Sequence, residues 1–378
     1  MTASNVSTKP SAEVPYKAIT LLEAVDYSKK AINTSLTREQ KIDCLRTMVR
    51  IRRFEQQALK FYSQGKMGGF LHLYIGQESV AVSAASLMNG HDEMITAYRD
   101  HGHALAVGMG MEECMAELFG KATGCSKGKG GSMHFFAPDK HYWGGHGIVA
   151  GQVPLGLGLA FALKYKAIPG CALCFMGDGA INQGTVSESF NLASLWNLPI
   201  VFIIENNYYS MGTSLERSSS VKNFLAERAA GFNMDWDVAN GSSIYELRAK
   251  LHEAMEQARK EMRPTVIEVA TYRYYGHSVA DANSKKYRTP EEIENYKAQH
   301  DPITLWQNQL LEEKVITEAD IQTIDEAAKM EAAASVEFAE ASPWPDVESI
   351  FTDIYYEVDQ DSEAGRTGSH FFSDRAAE

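Results

Sequence analysis

The stretch Phe175-Met-Gly-Asp-Gly-Ala-Ile-Asn-Gln-Gly184 sets glycines around an acid at the end of an apolar run. A turn of that kind can present main-chain N–H groups to a phosphate. It is not a dinucleotide fingerprint, because G-x-G-x-x-G needs glycine where Asn182 stands. Nor is Gly124-Cys-Ser-Lys-Gly-Lys-Gly-Gly-Ser132 a P-loop, since Lys129 occupies the place of the second glycine. The apolar run CALCFM, 171–176, reads as a strand, so Asp178 falls just past its carboxyl end, where α/β proteins bind ligands. A helical pattern follows, and PIVFIIENN returns as a parallel strand ending at Asn206-Asn207. This βαβ unit brings the Asp178 carboxylate and the Asn207 amide oxygen to one sheet edge. Two hard oxygen donors, beside a glycine turn whose N–H groups face a helix start, suit Mg²⁺ holding a diphosphate.

The scaffold that must hold them reads as α/β. CALCFM, PIVFIIEN and TVIEVATYRY are β-rich runs separated by helical patterns, which predicts a mostly parallel sheet with helices on both faces. Thr37 with Gln40 forms a capping box, and Ile42, Leu45, Met48 and Val49 recur at helical spacing, predicting an amphipathic helix to about Ser63. Between positions 68 and 179 the chain is rich in glycine and histidine, which is loop chemistry on a scaffold. Asp301-Pro302 caps one further helix, and Thr317 with Asp320 starts a long one ending near Ser342-Pro343. The expected organisation is a poorly ordered extension over 1–36, a ligand-binding α/β domain over 37–300, a helical part of the same unit over 301–359, and a disordered tail over 360–378. The loop from about Arg273 to Arg288 is expected to be mobile without cofactor and ordered with it, since its glycine, serines and charges offer little core to hold it.

Composition narrows the function classes. The 378 residues are 44% hydrophobic, enough for a sizeable core, and the formal net charge of −13 excludes a broad nucleic-acid or anionic-membrane surface. No apolar stretch reaches the length of a membrane helix, and the N-terminal stretch lacks arginine while carrying Glu13, unlike a transit peptide. A bacterial cytoplasmic protein is predicted, with the mitochondrial matrix or a plastid as the alternative. The five scattered cysteines fit a reducing compartment, and Cys171 and Cys174, although at redox spacing, lie in an apolar strand and are expected to be buried. His101, His103, His134, His141 and His146 have neither thiolate partners nor H-E-x-x-H spacing, so zinc is disfavoured. Glu188 and Asn191, one turn apart, are assigned to helix or subunit packing, and NLASLW to core or interface.

G-D-G, a helix, then a strand ending in N-N is similar to the thiamine diphosphate motif. With HLYIGQES, AYRDHGHAL, GKGGSMH, GGHGIVAGQVPLG, ENNYYSMGTSLER and TYRYYGHSVAD, the chain resembles the alpha subunits of heterotetrameric 2-oxo acid dehydrogenase decarboxylating components of the pyruvate type, over roughly positions 37 to 340. The resemblance implies the thiamine diphosphate-binding fold, with thiamine diphosphate and Mg²⁺ as cofactors. It makes Asp178, Asn207 and the Tyr209 carbonyl the Mg²⁺ ligands, and assigns Tyr98, Arg99 and the Gly179 and Ala180 backbone to the diphosphate. It assigns main-chain groups of Gly147 and Val149 to the aminopyrimidine, and sets His72 and His277 at the reacting atoms. It further implies oxidative decarboxylation of pyruvate and acetyl transfer to the lipoyl domain of a dihydrolipoyl acetyltransferase, in an α2β2 assembly whose beta subunit supplies the glutamate that activates the cofactor.

Branched-chain 2-oxo acid and acetoin dehydrogenases are the alternatives within the family. Glu205, where the branched-chain type has arginine, favours the pyruvate type. A noncatalytic nucleotide-binding or assembly role is the alternative outside it, and the intact Asp178, Asn207, Arg99 and both histidines oppose that role. Ser278 aligns with a phosphorylation site of mitochondrial relatives, and is expected here to be an unmodified loop serine; ADANSKKYRTPEE carries extra residues before Tyr287-Arg288 relative to the mitochondrial pattern.

Overall fold

The computed structural model describes residues 25–221, 223–281 and 284–353. Its strands are β1 (Glu93–Ile95), β2 (Ala172–Gly177), β3 (Ile200–Asn206), β4 (Tyr209–Ser210), β5 (Thr213–Ser214), β6 (Asp235–Asn240) and β7 (Thr265–Ala270). Five of them form a parallel sheet in the order β1-β2-β3-β7-β6, while β4 and β5 make a small antiparallel hairpin. The three apolar runs supply the interior strands, which are buried on both faces, as a covered parallel sheet requires. The edge strands β1 and β6 were not anticipated. One is only three residues long, and the other, Asp-Trp-Asp-Val-Ala-Asn, carries the polar residues that an edge tolerates.

The main helices are α1 (Arg38–Ser63), α2 (Glu78–Ala85), α3 (His101–Ala106), α4 (Met111–Leu118), α5 (Gln152–Tyr165), α6 (Gly184–Leu195), α7 (Ile244–Glu261), α8 (Pro290–His300), α9 (Pro302–Glu312) and α10 (Glu318–Ala341). Alternation along the strands divides the core. Leu173, Phe175, Val201, Ile203, Ile267 and Val269 pack under α1, α2, α4 and α7, whereas Cys174, Met176, Phe202, Ile204 and Val266 meet Val153 and Leu157 of α5 and Val186 and Phe190 of α6.

The helix ends follow the capping residues. Thr37 Oγ accepts from Gln40 N at 3.2 Å, and Gln40 Oε1 accepts from Thr37 N at 2.9 Å. Asp301 Oδ1 accepts from Ile303 N and Thr304 N at the start of α9, and Thr317 caps α10, which ends at Ser342. Ala328, Ala332, Val336 and Ala339 of α10 share the core of α1 and α4.

The expected N-terminal extension is corrected in part. Positions 25–36 carry a turn at Tyr27–Lys29 and a short helix at Ala31–Thr34. They are tied to α7 by the buried Asn33, whose amide donates to Tyr27 O and Tyr245 O at 2.9 and 2.7 Å. Positions 1–24 and the expected tail, 360–378, lie outside the described residues. Cys171 and Cys174 are buried free thiols, and burial pushes both pKa values up. Among the described residues no helix is long and apolar enough to cross a membrane.

Candidate functional site

The carboxyl ends of three adjacent strands make the site. Parallel register sets Gly177 of β2 opposite Glu205, and Asn206 of β3 opposite Ala270 of β7, so the loops leaving these strands emerge side by side. They begin with Asp178, Asn207 and Thr271. A cavity of about 240 Å³ opens there, walled by Tyr98, Arg99, Val149, Asp178, Gly179, Ala180, Asn207, Tyr209 and His277, all singled out from the sequence. Gln77, Ser210 and Met211 join the wall without having been anticipated, and Glu205, singled out above only as a mark of the pyruvate type, lines it as well.

His72 and Gly147 are placed differently. Gly147 N donates to His134 Nε2 at 3.2 Å beside the wall. His72 is 5% exposed and lies behind the wall, its ring 4.8 Å from that of Tyr98 and 5.1 Å from that of His277.

Asp178 is buried and, among the described residues, has no cation within ion-pair distance. Its one side-chain donor is Ser210 Oγ at 3.1 Å, and burial raises its pKa. Asn207 Oδ1 accepts two long bonds, from Tyr209 N and Arg273 Nε, both at 3.3 Å. Asn206 is committed to the fold, with its amide donating to Glu268 at 2.6 Å and its Oδ1 accepting from Tyr208 N at 3.0 Å. Between the two asparagines and the hairpin, Tyr208 takes φ +68°, a left-handed conformation costly for a bulky residue, and this turns the chain back across the cavity.

Gly179 is required by a close approach: a Cβ there would stand 2.3 Å from Ser210 Oγ. The glycine turn does not feed the helix directly, because a 3-10 turn at Ala180–Asn182 intervenes and α6 starts only at Gly184. Among the described residues no group of three or more His, Cys, Asp and Glu side chains gathers as a metal site. The oxygen-bearing side chains at the cavity are instead mixed, among them the Asp178 carboxylate, the Asn207 amide, the Ser210 hydroxyl and the Glu205 carboxylate, which accepts from Tyr74 Oη. A buried carboxylate without a cation, beside a weakly engaged amide oxygen, fits a hard divalent ion.

Three arginines make the electrostatics. Arg99, Arg273 and Arg288 are at most 8% exposed, and none pairs with a carboxylate among the described residues. Arg99 donates to Leu73 O at 2.7 Å and His277 O at 2.8 Å. Burial and the neighbouring Arg273 lower its pKa to about 10. Arg273 donates to Met211 O at 2.5 Å and Tyr275 O at 3.2 Å. Arg288 donates to Arg273 O at 2.5 Å, and lies 5.3 to 5.7 Å from the rings of Tyr272, Tyr287 and Tyr209. Buried cations that meet carbonyls, a hydroxyl and rings but, among the described residues, no carboxylate leave excess positive charge beside the cavity, which suits a polyanion.

Arg273 and Arg288 were not assigned to the site from the sequence, although both bracket the loop that was. The premise that this loop has little to hold it is also corrected. Its arginines are buried, Val279 N donates to Leu71 O at 2.9 Å, and Tyr287 Oη donates to Asp281 at 2.5 Å. Ser278 within it is buried.

Both site histidines are held neutral. Burial, then Arg99, lowers His72 to about 2 and His277 to about 4. Of the histidines weighed for zinc, His101 lies between Glu55 and Ser132, His103 packs on Phe175, His134 bonds Gly147, and His141 bonds Glu93. His146 Nδ1 donates to Thr96 O.

The sequence profile of the family described as dehydrogenase E1 component matches positions 46–348. The chain belongs to that family. It is 43% identical to the pyruvate dehydrogenase E1 component subunit alpha of Rhizobium meliloti strain 1021, over 93% of this chain and 98% of the relative. It is 45% identical to the protein of the same name from Rickettsia bellii strain RML369-C, over 84% and 96%. It is 41% identical to the mitochondrial pyruvate dehydrogenase E1 component subunit alpha of Dictyostelium discoideum, over 85% and 84%. The matched span contains the cavity wall and every arginine and histidine described around it.

Proposed function

We propose that this E1 chain is the alpha subunit of a pyruvate dehydrogenase, binding thiamine diphosphate through Mg²⁺ and working with a beta subunit in an α2β2 assembly. The observation that carries the site assignment is the trio of buried, carboxylate-free arginines beside a cavity lined by Asp178 and Asn207. The Asp178 carboxylate, the Asn207 amide oxygen and the Tyr209 carbonyl would hold the metal. Arg99, with Arg273 behind it, would balance diphosphate charge, and Tyr98 and the N–H groups of Gly179 and Ala180 would take its oxygens. Main-chain groups of Gly147 and Val149 would meet the aminopyrimidine. When bound, thiamine diphosphate supplies a thiazolium ring that accepts the electrons released as a 2-oxo acid loses its carboxylate.

The chain's own contribution is orientation, charge and proton handling. His277 stands in the wall with His72 packed against it, both neutral, so each can accept a proton or donate an N–H to a developing charge without bringing charge of its own. The rings of Tyr98 and His277, half-buried in the wall, pack against the buried His72 and hold that corner together. His277 is the group assigned to acetyl transfer onto the lipoyl domain.

A partner is also supported by the surface. Phe161 and Tyr165 of α5 and Leu195 and Trp196 at the end of α6 are 43 to 82% exposed, with Phe161 5.8 Å from Trp196 and 6.0 Å from Tyr165 between ring centres. This apolar face fits the docking of another chain. Bacterial relatives favour the bacterial cytoplasm as its compartment.

The deciding experiment is turnover of the co-purified alpha and beta chains with pyruvate, branched 2-oxo acids and acetoin, with and without thiamine diphosphate and Mg²⁺. Pyruvate is expected to be preferred, with activity requiring both cofactors. Preference for a branched acid or acetoin would reassign the substrate, and cofactor-independent or absent turnover would remove the catalytic reading.

A further inference from the structure

A buried side-chain network beneath the cavity has no part in the roles assigned so far. His72, Leu73 and Tyr74 form an irregular segment behind its wall. Three successive main-chain groups of that segment are gripped by side chains. His72 N donates to Ser132 Oγ at 3.1 Å, Leu73 O accepts from Arg99, and Tyr74 N donates to Glu55 Oε1 at 2.6 Å. The holders of the residue 72 and 74 amides, Ser132 and Glu55, lie close enough together for a single imidazole to reach both.

Their two holders are bridged by His101, whose Nδ1 lies 3.0 Å from Glu55 Oε2 and whose Nε2 lies 2.9 Å from Ser132 Oγ and 3.0 Å from Ser132 O. A carbonyl only accepts, so Nε2–H donates there, and Nδ1–H donates to the Glu55 carboxylate. Glu55 and His101 are fully buried, and the His101 ring stacks on Phe135 at 5.0 Å.

The loop that carries Ser132 is fixed from the other side. Glu117, also fully buried, accepts four main-chain N–H bonds: from Ser126 at 2.8 Å, Gly128 at 2.9 Å, Gly130 at 2.7 Å and Gly131 at 3.0 Å. The glycine-rich stretch that is no P-loop is therefore an anion nest all the same, filled by the protein's own carboxylate. A nest occupied internally does not bind a ligand; it sets the loop's shape. The next residue is Ser132.

We propose that Ser132, His101 and Glu55 form a buried positioning clamp that sets His72 against Tyr98 and His277, with Glu117 fixing the loop from which Ser132 acts. The inference rests on the reading of His72 as part of the reaction site. None of the four lines the cavity, so they are positioning residues. Their effect on chemistry passes through two main-chain hydrogen bonds, His72 N donating to Ser132 and Tyr74 N donating to Glu55.

The first test reads the alpha chain itself, by hydrogen exchange in the alpha–beta complex. The His72 amide is expected to exchange at least tenfold faster in Ser132→Ala and in Glu117→Gln, while the amides of β3 stay as protected as in the unmodified protein. In Glu117→Gln an amide NH₂ would face donors that now meet oxygen. Unchanged exchange at His72, or a uniform rise across β3, would overturn the clamp.

The second test is a double-mutant cycle. Ser132→Ala is expected to lower kcat roughly three- to tenfold, the size of one hydrogen bond, with thiamine diphosphate affinity within twofold. That loss should disappear in the His72→Ala background, because nothing remains to be positioned. Equal losses in both backgrounds would show that Ser132 acts elsewhere and sink the proposal. A complex inactive on every 2-oxo acid would refute the functional reading alone, and the exchange result would still decide the clamp.

Discussion

Asp178, proposed above as a metal ligand, shows at the residue scale how a side chain can be costly to the empty chain. Its carboxylate is buried without a cation, and burial raises its pKa, so ionised Asp178 is unfavourable in the absence of metal. Asp178→Ala should leave the thermal stability of the cofactor-free protein unchanged or slightly higher. The same variant should lose at least about 100-fold in Mg²⁺-dependent thiamine diphosphate affinity, more than outer-shell changes at metal sites typically cost. Calorimetry on the alpha–beta complex measures the second quantity, and unchanged affinity would take Asp178 out of the metal set.

The histidines give a pH test. His72 sits at about 2 in the fold, against an ordinary value near 6.5, because burial and then Arg99 disfavour its charge. Between those two values the unfolded chain binds a proton that the folded chain refuses, so stability is full above about pH 6.5 and falls as the pH drops through the window. For His72 the loss is up to about 2 kcal/mol at pH 5, and His277 adds a similar loss there that stops growing below about pH 4. His72→Gln should therefore flatten the acid limb of melting temperature against pH. A curve parallel to that of the unmodified protein would mean that His72 titrates normally. The motif residues were legible because their spacing places them at strand ends. Arg273, Arg288 and the depth of His72 were not, since a sequence does not show whether an arginine is buried or which ring lies in front of another.

At the scale of elements, strands and caps were the most readable features. Thr37, Asp301 and Thr317 announce their helices through local bonds, and β2, β3 and β7 are apolar throughout because both their faces are covered. Strands β1 and β6 escaped because their pairing depends on a neighbour distant in sequence rather than on their own composition. Glu268 shows a similar effect inside β7, where a glutamate stands 3% exposed in the middle of an interior strand. It accepts from Asn206 Nδ2 at 2.6 Å and from Ala226 N at 3.0 Å, and so pins the residue before the metal-ligand candidate Asn207. Glu268→Leu keeps the strand apolar but leaves two buried donors unmade, at about 1–3 kcal/mol each. A destabilisation of at least about 2 kcal/mol is expected by denaturant titration, together with weaker Mg²⁺-dependent cofactor binding. Lost stability with intact cofactor affinity would confine Glu268 to the fold.

At the scale of the whole molecule, the surface carries information that the core does not. The run NLASLW reads as core or interface from its composition, and the fold divides it. Ala193 is buried, whereas Leu195 and Trp196 are exposed beside Phe161 and Tyr165. Helices α5 and α6 thus bury one side against the sheet and keep aromatic residues on the other. Glu188 and Asn191 lie exposed on α6 as well. If a beta subunit covers this face, each aromatic ring taken out of water contributes about 1.5–3 kcal/mol to association. Phe161→Glu with Trp196→Glu would remove two rings and add two charges to the contact. The combined loss of about 3–6 kcal/mol corresponds to at least about a 100-fold weaker alpha–beta complex. The folded alpha chain itself should keep its melting temperature within a few degrees, because both side chains already face solvent when it is alone. Analytical ultracentrifugation of the mixed subunits reads the association, and circular dichroism of the isolated alpha chain reads the fold. An unweakened complex would place the beta subunit on another surface, whereas a collapsed alpha chain would make these rings part of its own core.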